Sequence, residues 1–497
     1  MIIDKQQIFS EIKNSKCSPV IVGFIIAILS LISCRKKDGV AAELSVSPSS
    51  IIFPAEGGAS GITIASNAAW TVNNPLSSWL QTDKKTGSSG STTIQVKTLS
   101  ENGTGASRSG YVDITASNGQ NRRVKVTQAP SLYPSYNTSP KAPDGTGMSS
   151  TAVQLAAKMR TGMGINFGNT MESPNEGDWQ NSKLTESYVK YIKQSGFTAV
   201  RLPCNWVWTH LSDRSKATID PAWLARVKEV VGWCVANDLY VILNSHDSPN
   251  ANAFKQDSVN AMQKAIWEQI ATTMRDFDEH LIFAGLNEPP ADNAAQMAIL
   301  NSYHETFIKA VRSTGGRNST RVLVVQGPTT DSYKTSDLMT TMPHDPVPNR
   351  MMLEVHSYTP STFTILTDGD VSWGKMVYYW GTGNHSTIEP DRNATYGEES
   401  SLVTEYGKLK KFVDNGIPVV LGEYAAWRRN AINNSNYLPK DLAMHNKSVN
   451  DWTTFSTKTM RANGLMPFYW EIGFMLDRKN NVVKDQPMYD AVKEGYK

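Results

Sequence analysis

From about residue 150 to the end, the chain repeats one rhythm: a short, nearly unbroken apolar run, then a stretch of helical periodicity. The candidate strands are GINFGN (164–169), AVRLP (199–203), YVILNSH (240–246), LIFAGLNE (281–288), RVLVVQG (321–327), MLEVHSY (352–358), PVVLGEY (418–424) and MPFYWEIG (466–473), eight in all. Amphipathic segments such as AWLARVKEVVGWCVAND (222–238) and MQKAIWEQIATTMRDF (262–277) fill most of the gaps. Strands that are apolar on both faces and alternate with helices form a parallel sheet covered on both sides. Eight such repeats predict an α/β fold closed into a (β/α)8 TIM barrel with long loops. An open doubly wound sheet is the alternative, but no glycine-rich nucleotide loop follows the first strand.

The polar residues of this region gather at one end of the predicted strands. Asn169 ends the first, Arg201 sits late in the second, and Asn244 and His246 end the third. Asn287 and Glu288 end the fourth and are stopped by Pro289; His356 and Tyr358 end the sixth, Glu423 the seventh and Trp470 the eighth. Each alone has a structural explanation, as a solvated acid, a core histidine or a filling tryptophan. Together they lie at the strand ends where such barrels build their active sites. Two acids on two strand tips are what glycoside hydrolysis needs, one to attack and one to protonate the leaving oxygen. A metal site is the competing use of His246, His356 and the two acids. No local spacing such as HExxH supports it, so neither metal nor cofactor is expected.

At 497 residues the chain is too long for a single ordinary core, so further domains precede the barrel. A net charge of +3, with no arginine-rich stripe, gives no reason to expect a nucleic-acid partner, and a monomer is expected. Residues 1–34 read as a processing segment: Lys13 and Lys16 precede an apolar run from Pro19 to Ile32, too short for a membrane span. It closes on Leu31, Ile32, Ser33 and Cys34, followed by Arg35, Lys36 and Lys37. This resembles the lipobox of bacterial lipoproteins, and implies acylation of Cys34 and a lipid anchor, expected at the outer membrane. Cys204 and Cys234 read as small buried hydrophobes, with a bridge between them left open.

Between 43 and 129 the pattern changes to short alternating segments, LSVSP, GITIAS, TTIQVKT, YVDITAS and RVKVTQA, broken by Gly, Ser and Asn turns. Period-2 alternation at this spacing predicts a small all-β sandwich. AEGG (55–58), Trp70, Trp79 and the closing VTQA (126–129) resemble the BACON domain found with carbohydrate-active enzymes of Bacteroidetes. The resemblance implies an immunoglobulin-like fold and, by proposal, carbohydrate binding; Trp70 and Trp79 are expected to pack the sandwich rather than stack on sugar, so a spacer is expected ahead of a binding module. Residues 130–148 hold four prolines among Ser, Gly and Asn and predict a semi-rigid linker to the barrel at 149–497.

The barrel resembles glycoside hydrolase family 5. The matching pieces are MGINFGNT (163–170), Arg201 in VRLP, His246, LNEP (286–289), HSYTP (356–360), LGEY (421–424) and Trp470 in FYWEIG. The resemblance implies a retaining mechanism, with Glu288 as acid/base and Glu423 as nucleophile. It also implies that Arg201 and Tyr358 hold Glu423, that Asn287 bonds the sugar's 2-hydroxyl, and that His246 and His356 position substrate and Glu288. Trp470 would floor the reacting subsite. Glu288, in a drier setting, would stay protonated until needed. Asp247 and Ala284 depart from the common pattern, which has His and Glu there. GINFGNT and VSWGKMVYYWGTGN (371–384) resemble subfamily 4, which cleaves internal β-1,4 bonds of glucans; xyloglucan is the expected substrate, with cellulose, mixed-linkage glucan and mannan as alternatives. Trp206, Trp208, Trp373, Tyr379, Trp380 and Trp427 follow strand ends and are candidates for sugar-stacking platforms. A barrel that binds glycan without cleaving it is the remaining alternative.

Overall fold

The computed structural model describes residues 41–497 except 180, 248–254, 367–368 and 431–436. The leader and the acylation site read at Cys34 lie outside the described residues. No helix among the described residues is long and apolar enough to cross a membrane.

All eight predicted strands form one closed parallel barrel: β1 (Met163–Asn166), β2 (Phe197–Cys204), β3 (Tyr240–Ser245), β4 (Leu281–Ala284), β5 (Leu323–Gln326), β6 (Met351–His356), β7 (Val419–Tyr424) and β8 (Met466–Tyr469). The register Gly164↔Phe468 and Ile165↔Tyr469 joins β8 to β1 and closes it. Because side chains alternate along a strand, every second residue points into the barrel. Ala199, Ile242, Ile282, Ala284, Val324, Met352, Val420 and Phe468 make one buried apolar cluster. The helix Ala152–Met159, held by a Thr151–Gln154 capping box, adds Leu155 and Met159 to it and seals the lower end. Two residues further along the same strands the interior turns polar, with Asn166, Arg201, Asn244, Gln326 and Glu354, all fully buried. Outside the barrel the helices pack their apolar faces on the strands in a second, larger cluster that contains Cys204 and Cys234, both free thiols.

The N-terminal region is the predicted sandwich. One sheet runs Leu44–Ser47, Ala59–Ser66, Gly90–Thr98, Leu80–Thr82; the other runs Ser50–Phe53, Asn121–Gln128, Arg108–Ala116, Trp70–Asn73, Thr86–Gly87. Ile62, Ile64, Ile94, Val96, Val112, Ile114, Val124 and Val126 fill the space between them together with Trp70 and Trp79. Both tryptophans therefore pack the core, as expected of them.

The linker does not run free. The buried carboxylate of Glu268, on helix Gln256–Thr273, accepts hydrogen bonds from Ser135 Oγ (3.1 Å) and from the backbone N–H groups of Tyr136 (2.7 Å) and Asn137 (3.1 Å). Asn137 Nδ2 donates to the Ser313 carbonyl, and Lys141–Pro143 pairs with Gly315–Gly316. Proline-rich composition denies this segment a core of its own, but the barrel supplies the partners. Lys264 completes the junction, reaching Glu268 at 2.9 Å and Glu101 of the sandwich at 3.1 Å.

Candidate active site

The site is built on the polar layer of the barrel. Arg201 is fully buried, with Nη1 2.9 Å from Glu423 Oε1, Nε 2.6 Å from Glu354 Oε1, and Nη2 donating to Asn287 Oδ1 at 2.9 Å. Asn166 closes the ring: its Oδ1 accepts from Arg201 at 3.1 Å while its Nδ2 donates to the Gly422 carbonyl at 2.7 Å. Burial alone would discourage the Arg201 charge, but Glu354 and Glu423 hold its pKa above the ordinary value. Tyr358 Oη donates to Glu423 Oε2 at 3.0 Å, so both oxygens of that carboxylate are held.

Glu288 lies past the end of β4, and its presentation is a backbone achievement. Gln326 Oε1 accepts from the Leu286 N–H at 2.9 Å, and Asn244 Nδ2 donates to the Leu286 carbonyl at 2.7 Å. With Leu286 clamped from two strands, Glu288 adopts a left-handed backbone (φ 43°), a strained conformation for a residue with a side chain. Its carboxylate meets His356 Nδ1 at 2.9 Å. The far nitrogen of that ring, Nε2, meets Glu354 Oε1 at 3.3 Å.

These contacts fix the charges. Burial works against a charged His356, but Glu423, Glu288 and Glu354 together raise it to about 9, so the ring is an imidazolium at neutral pH. Burial also works against Glu354, yet Arg201 and His356 draw it down to about 2. Glu288 departs from the expected protonated state. Its side chain is nearly half exposed (47%), and although partial burial pushes its pKa upward, the hydrogen bond and charge of His356 prevail and hold it below the usual carboxylate value. The pair Glu288–His356 thus shares one proton, resting on the imidazole. His246 is neutral, driven down to about 3 by burial and by Arg201; it bonds Asn244 at 3.2 Å and stacks on Trp470 with ring centres 5.9 Å apart.

Ligand atoms of Glu288, His356 and Glu423 all lie within 4.8 Å of one another. That spacing would also suit a cation, but a protonated His356 already supplies the positive charge between the two carboxylates.

Arg201, Asn287, Glu288, His356, Tyr358 and Glu423 thus converge as expected, with His246 and Trp470 beside them. Asn169 does not join their network: β1 ends at Asn166, and Asn169 follows in a turn with φ 55°, its amide bonded to Glu172. The proposed platforms divide. Trp208 and Trp373 are well exposed, at 75% and 63%, and Trp427 is partly buried. Trp206 and Trp380 are corrected to interior residues. The Asp247 carboxylate ties down the amides of Trp206 (2.9 Å) and Val207 (3.2 Å), which turns the Trp206 indole into the core, and Trp380 donates its indole N–H to the Gly397 carbonyl at 2.8 Å. Tyr379 is likewise buried, donating to Glu389 at 2.5 Å. Exposed Trp208 lines a cavity of about 370 Å³ with Val207, Asp247, Met262 and Leu286, and Trp427 lines one of about 390 Å³ with Arg428 and Phe474. Glu354, Gln326 and Asn166 went unread in the sequence. Glu354 stands two residues before His356 on β6, so strand alternation alone puts it on the same inward face.

A closed barrel with two facing carboxylates, one gripped by arginine and tyrosine and the other sharing a proton with histidine, is the apparatus of a glycoside hydrolase. The chain belongs to glycoside hydrolase family 5: the profile of cellulase (glycosyl hydrolase family 5) matches residues 160–475, and that of the BACON domain matches 68–129. A xyloglucan-specific endo-β-1,4-glucanase of Bacteroides ovatus is 31% identical over 96% of this chain and 96% of its own. The solved structure of a Bacteroides ovatus xyloglucanase with a XXXG heptasaccharide superposes with a TM-score of 0.65 at 29% identity, covering 91% of this chain and all (100%) of that one. A xyloglucan-specific β-1,4-glucanase from a ruminal metagenomic library, solved with XXLG, gives a TM-score of 0.61 at 33% identity over 70% of this chain and 96% of its own.

Proposed function

We propose that the protein is a retaining endo-β-1,4-glucanase acting on plant cell-wall glucan, with xyloglucan as its preferred substrate. The observation that carries the mechanism is the separation of the two acids: oxygens of Glu288 and Glu423 lie within 4.8 Å of each other. Retaining enzymes need carboxyl groups about 5 Å apart, whereas inverting ones leave room for a water between them, at about 6.5–9.5 Å. In the first step Glu423 attacks the anomeric carbon, the glycosidic C–O bond breaks, and the leaving oxygen takes the proton held by the Glu288–His356 pair. In the second, Glu288 takes a proton from water, which displaces Glu423 from the sugar. Arg201 and Tyr358 keep Glu423 oriented throughout. Asn287, its Oδ1 committed to Arg201, has Nδ2 to offer the 2-hydroxyl, a bond that strengthens as positive charge develops on the ring.

The xyloglucan preference is supported by the two xyloglucan-specific relatives and by their coverage of the barrel. Incubation with xyloglucan, barley mixed-linkage glucan, carboxymethylcellulose and mannan, followed by product analysis and by NMR of the first-formed anomer, tests all three elements. Xyloglucan oligosaccharides of β configuration are expected; faster release from mannan, or an α product, would sink the reading. Glu423→Ala is expected to fold and lose hydrolysis; wild-type turnover in that variant would end the assignment of Glu423 as nucleophile, whereas a wild-type chain that cleaves none of the four glucans would leave the glycan-binding alternative.

A further inference from the structure

We propose that Glu354 is a positioning residue of this centre, a buried carboxylate beneath the catalytic pair that fixes Arg201 for the nucleophile and His356 for the acid/base at once. The inference rests on the retaining reading above. Glu354 has no exposed surface, and each of its contacts has a direction. Oε1 faces Arg201 Nε at 2.6 Å and His356 Nε2 at 3.3 Å, while Oε2 accepts from Gln326 Nε2 at 2.7 Å. Gln326 in turn holds the Leu286 amide, so the same carboxylate is tied to the loop that presents Glu288. The barrel makes room for it: a methyl group at Gly422 of β7 would stand 2.1 Å from Glu354 Oε1.

Its effect is on the proton. His356 offers Nδ1 to Glu288 only if that nitrogen carries hydrogen. A carboxylate at Nε2 favours the doubly protonated ring, which keeps a proton on Nδ1. The charged groups that face His356 are Glu354 on its own strand, Glu288 after β4 and Glu423 on β7, with Arg201 on β2 on the other side of Glu354 and neutral His246 after β3. Two cations, Arg201 and His356, stand against three carboxylates. With the shared proton on the imidazole the cluster keeps one net negative charge, which holds that proton in place until the leaving oxygen takes it. With Glu354 uncharged, the same state would be neutral, and the imidazolium would release its proton at lower pH.

The test is Glu354→Gln, which preserves shape and removes the charge. The alkaline limb of kcat/KM, measured on whichever of the four glucans is hydrolysed, reports loss of the last proton from the Glu288–His356 pair in the free enzyme. It is expected to move acidward by about 1–3 pH units, the size of losing one close opposite charge. A variant that melts like the wild type and keeps its alkaline limb in place overturns the proposal. Because the substitution can also harm folding, a second measurement uses the wild-type chain: 15N-histidine NMR, with His356 assigned by its loss in His356→Asn. His356 is expected to stay doubly protonated at pH 7 and to titrate near the alkaline limb; a midpoint near the ordinary 6.5 overturns the proposal. That spectrum needs no turnover, so absence of hydrolysis on every glucan would fail the enzymatic reading while His356 remained readable.

Discussion

The lower and upper halves of the barrel interior are made by the same eight strands and differ by a two-residue step. Below lie Ala199, Ile242, Met352 and Val420; above lie Arg201, Asn244, Glu354 and Gly422. The lower half is held by burial, worth about 1.5–3 kcal/mol for each large apolar side chain, and tolerates any set of residues that fills it. The upper half carries charges that would each be costly alone and are stable only as a set, every carboxylate facing a cation. Stability and chemistry are thus stacked along one axis, and the strand period decides which residue serves which.

Substitutions on either side of this boundary sharpen the contrast. The largest effect is expected from Arg201→Met, which strands Glu354 and Glu423 without their cation. Chemical denaturation should show a loss of about 3–5 kcal/mol, as for other broken buried pairs, and kcat should fall by at least about 100-fold. Retained stability with the activity loss would mean the cluster is less cooperative than its geometry implies. One step down the barrel, Ile242→Val removes a buried methylene from the apolar layer. It should cost about 0.5–1.5 kcal/mol with kcat and its pH profile unchanged; a shifted profile would show that the two halves are coupled. The smallest stability effect belongs to the rim. Trp208→Ala removes an exposed ring, so stability should stay within about 0.5 kcal/mol while KM for the polymer rises. An unchanged KM would remove Trp208 from the substrate path.

The same contrast explains what could be read in the sequence. The apolar half of each strand announces itself as an unbroken run, so all eight strands, their order and their closure were legible. Residues at strand tips were legible too, because Asn287, Glu288, His356 and Glu423 interrupt those runs at their ends. Glu354 was hidden because it sits inside a run, between Leu353 and Val355, where a single acid reads as part of the strand. Asn169 reads as the tip of the first strand because the apolar run continues to it, but β1 stops three residues earlier, at Asn166, which takes the inward position. Trp206 and Trp380 follow strands as Trp208 does, and what turns them inward is tertiary: the Asp247 carboxylate in one case and the Gly397 carbonyl in the other. The charge on Glu288 could not be judged from sequence either, since it depends on a histidine 68 residues away.

Glu268 has a consequence for reach. The Ser131 amide is bonded to Asn102 of the sandwich, and Ser135 is already bonded to Glu268 of the barrel. Only Leu132, Tyr133 and Pro134 lie between, a leash of about 10 Å when fully drawn out. The 19 positions from 130 to 148, left unpinned, would stretch to about 65 Å. A catalytic head on so short a tether cannot sweep a wide area around the domain that carries it, and must meet its polymer by the motion of the polymer or of the whole molecule.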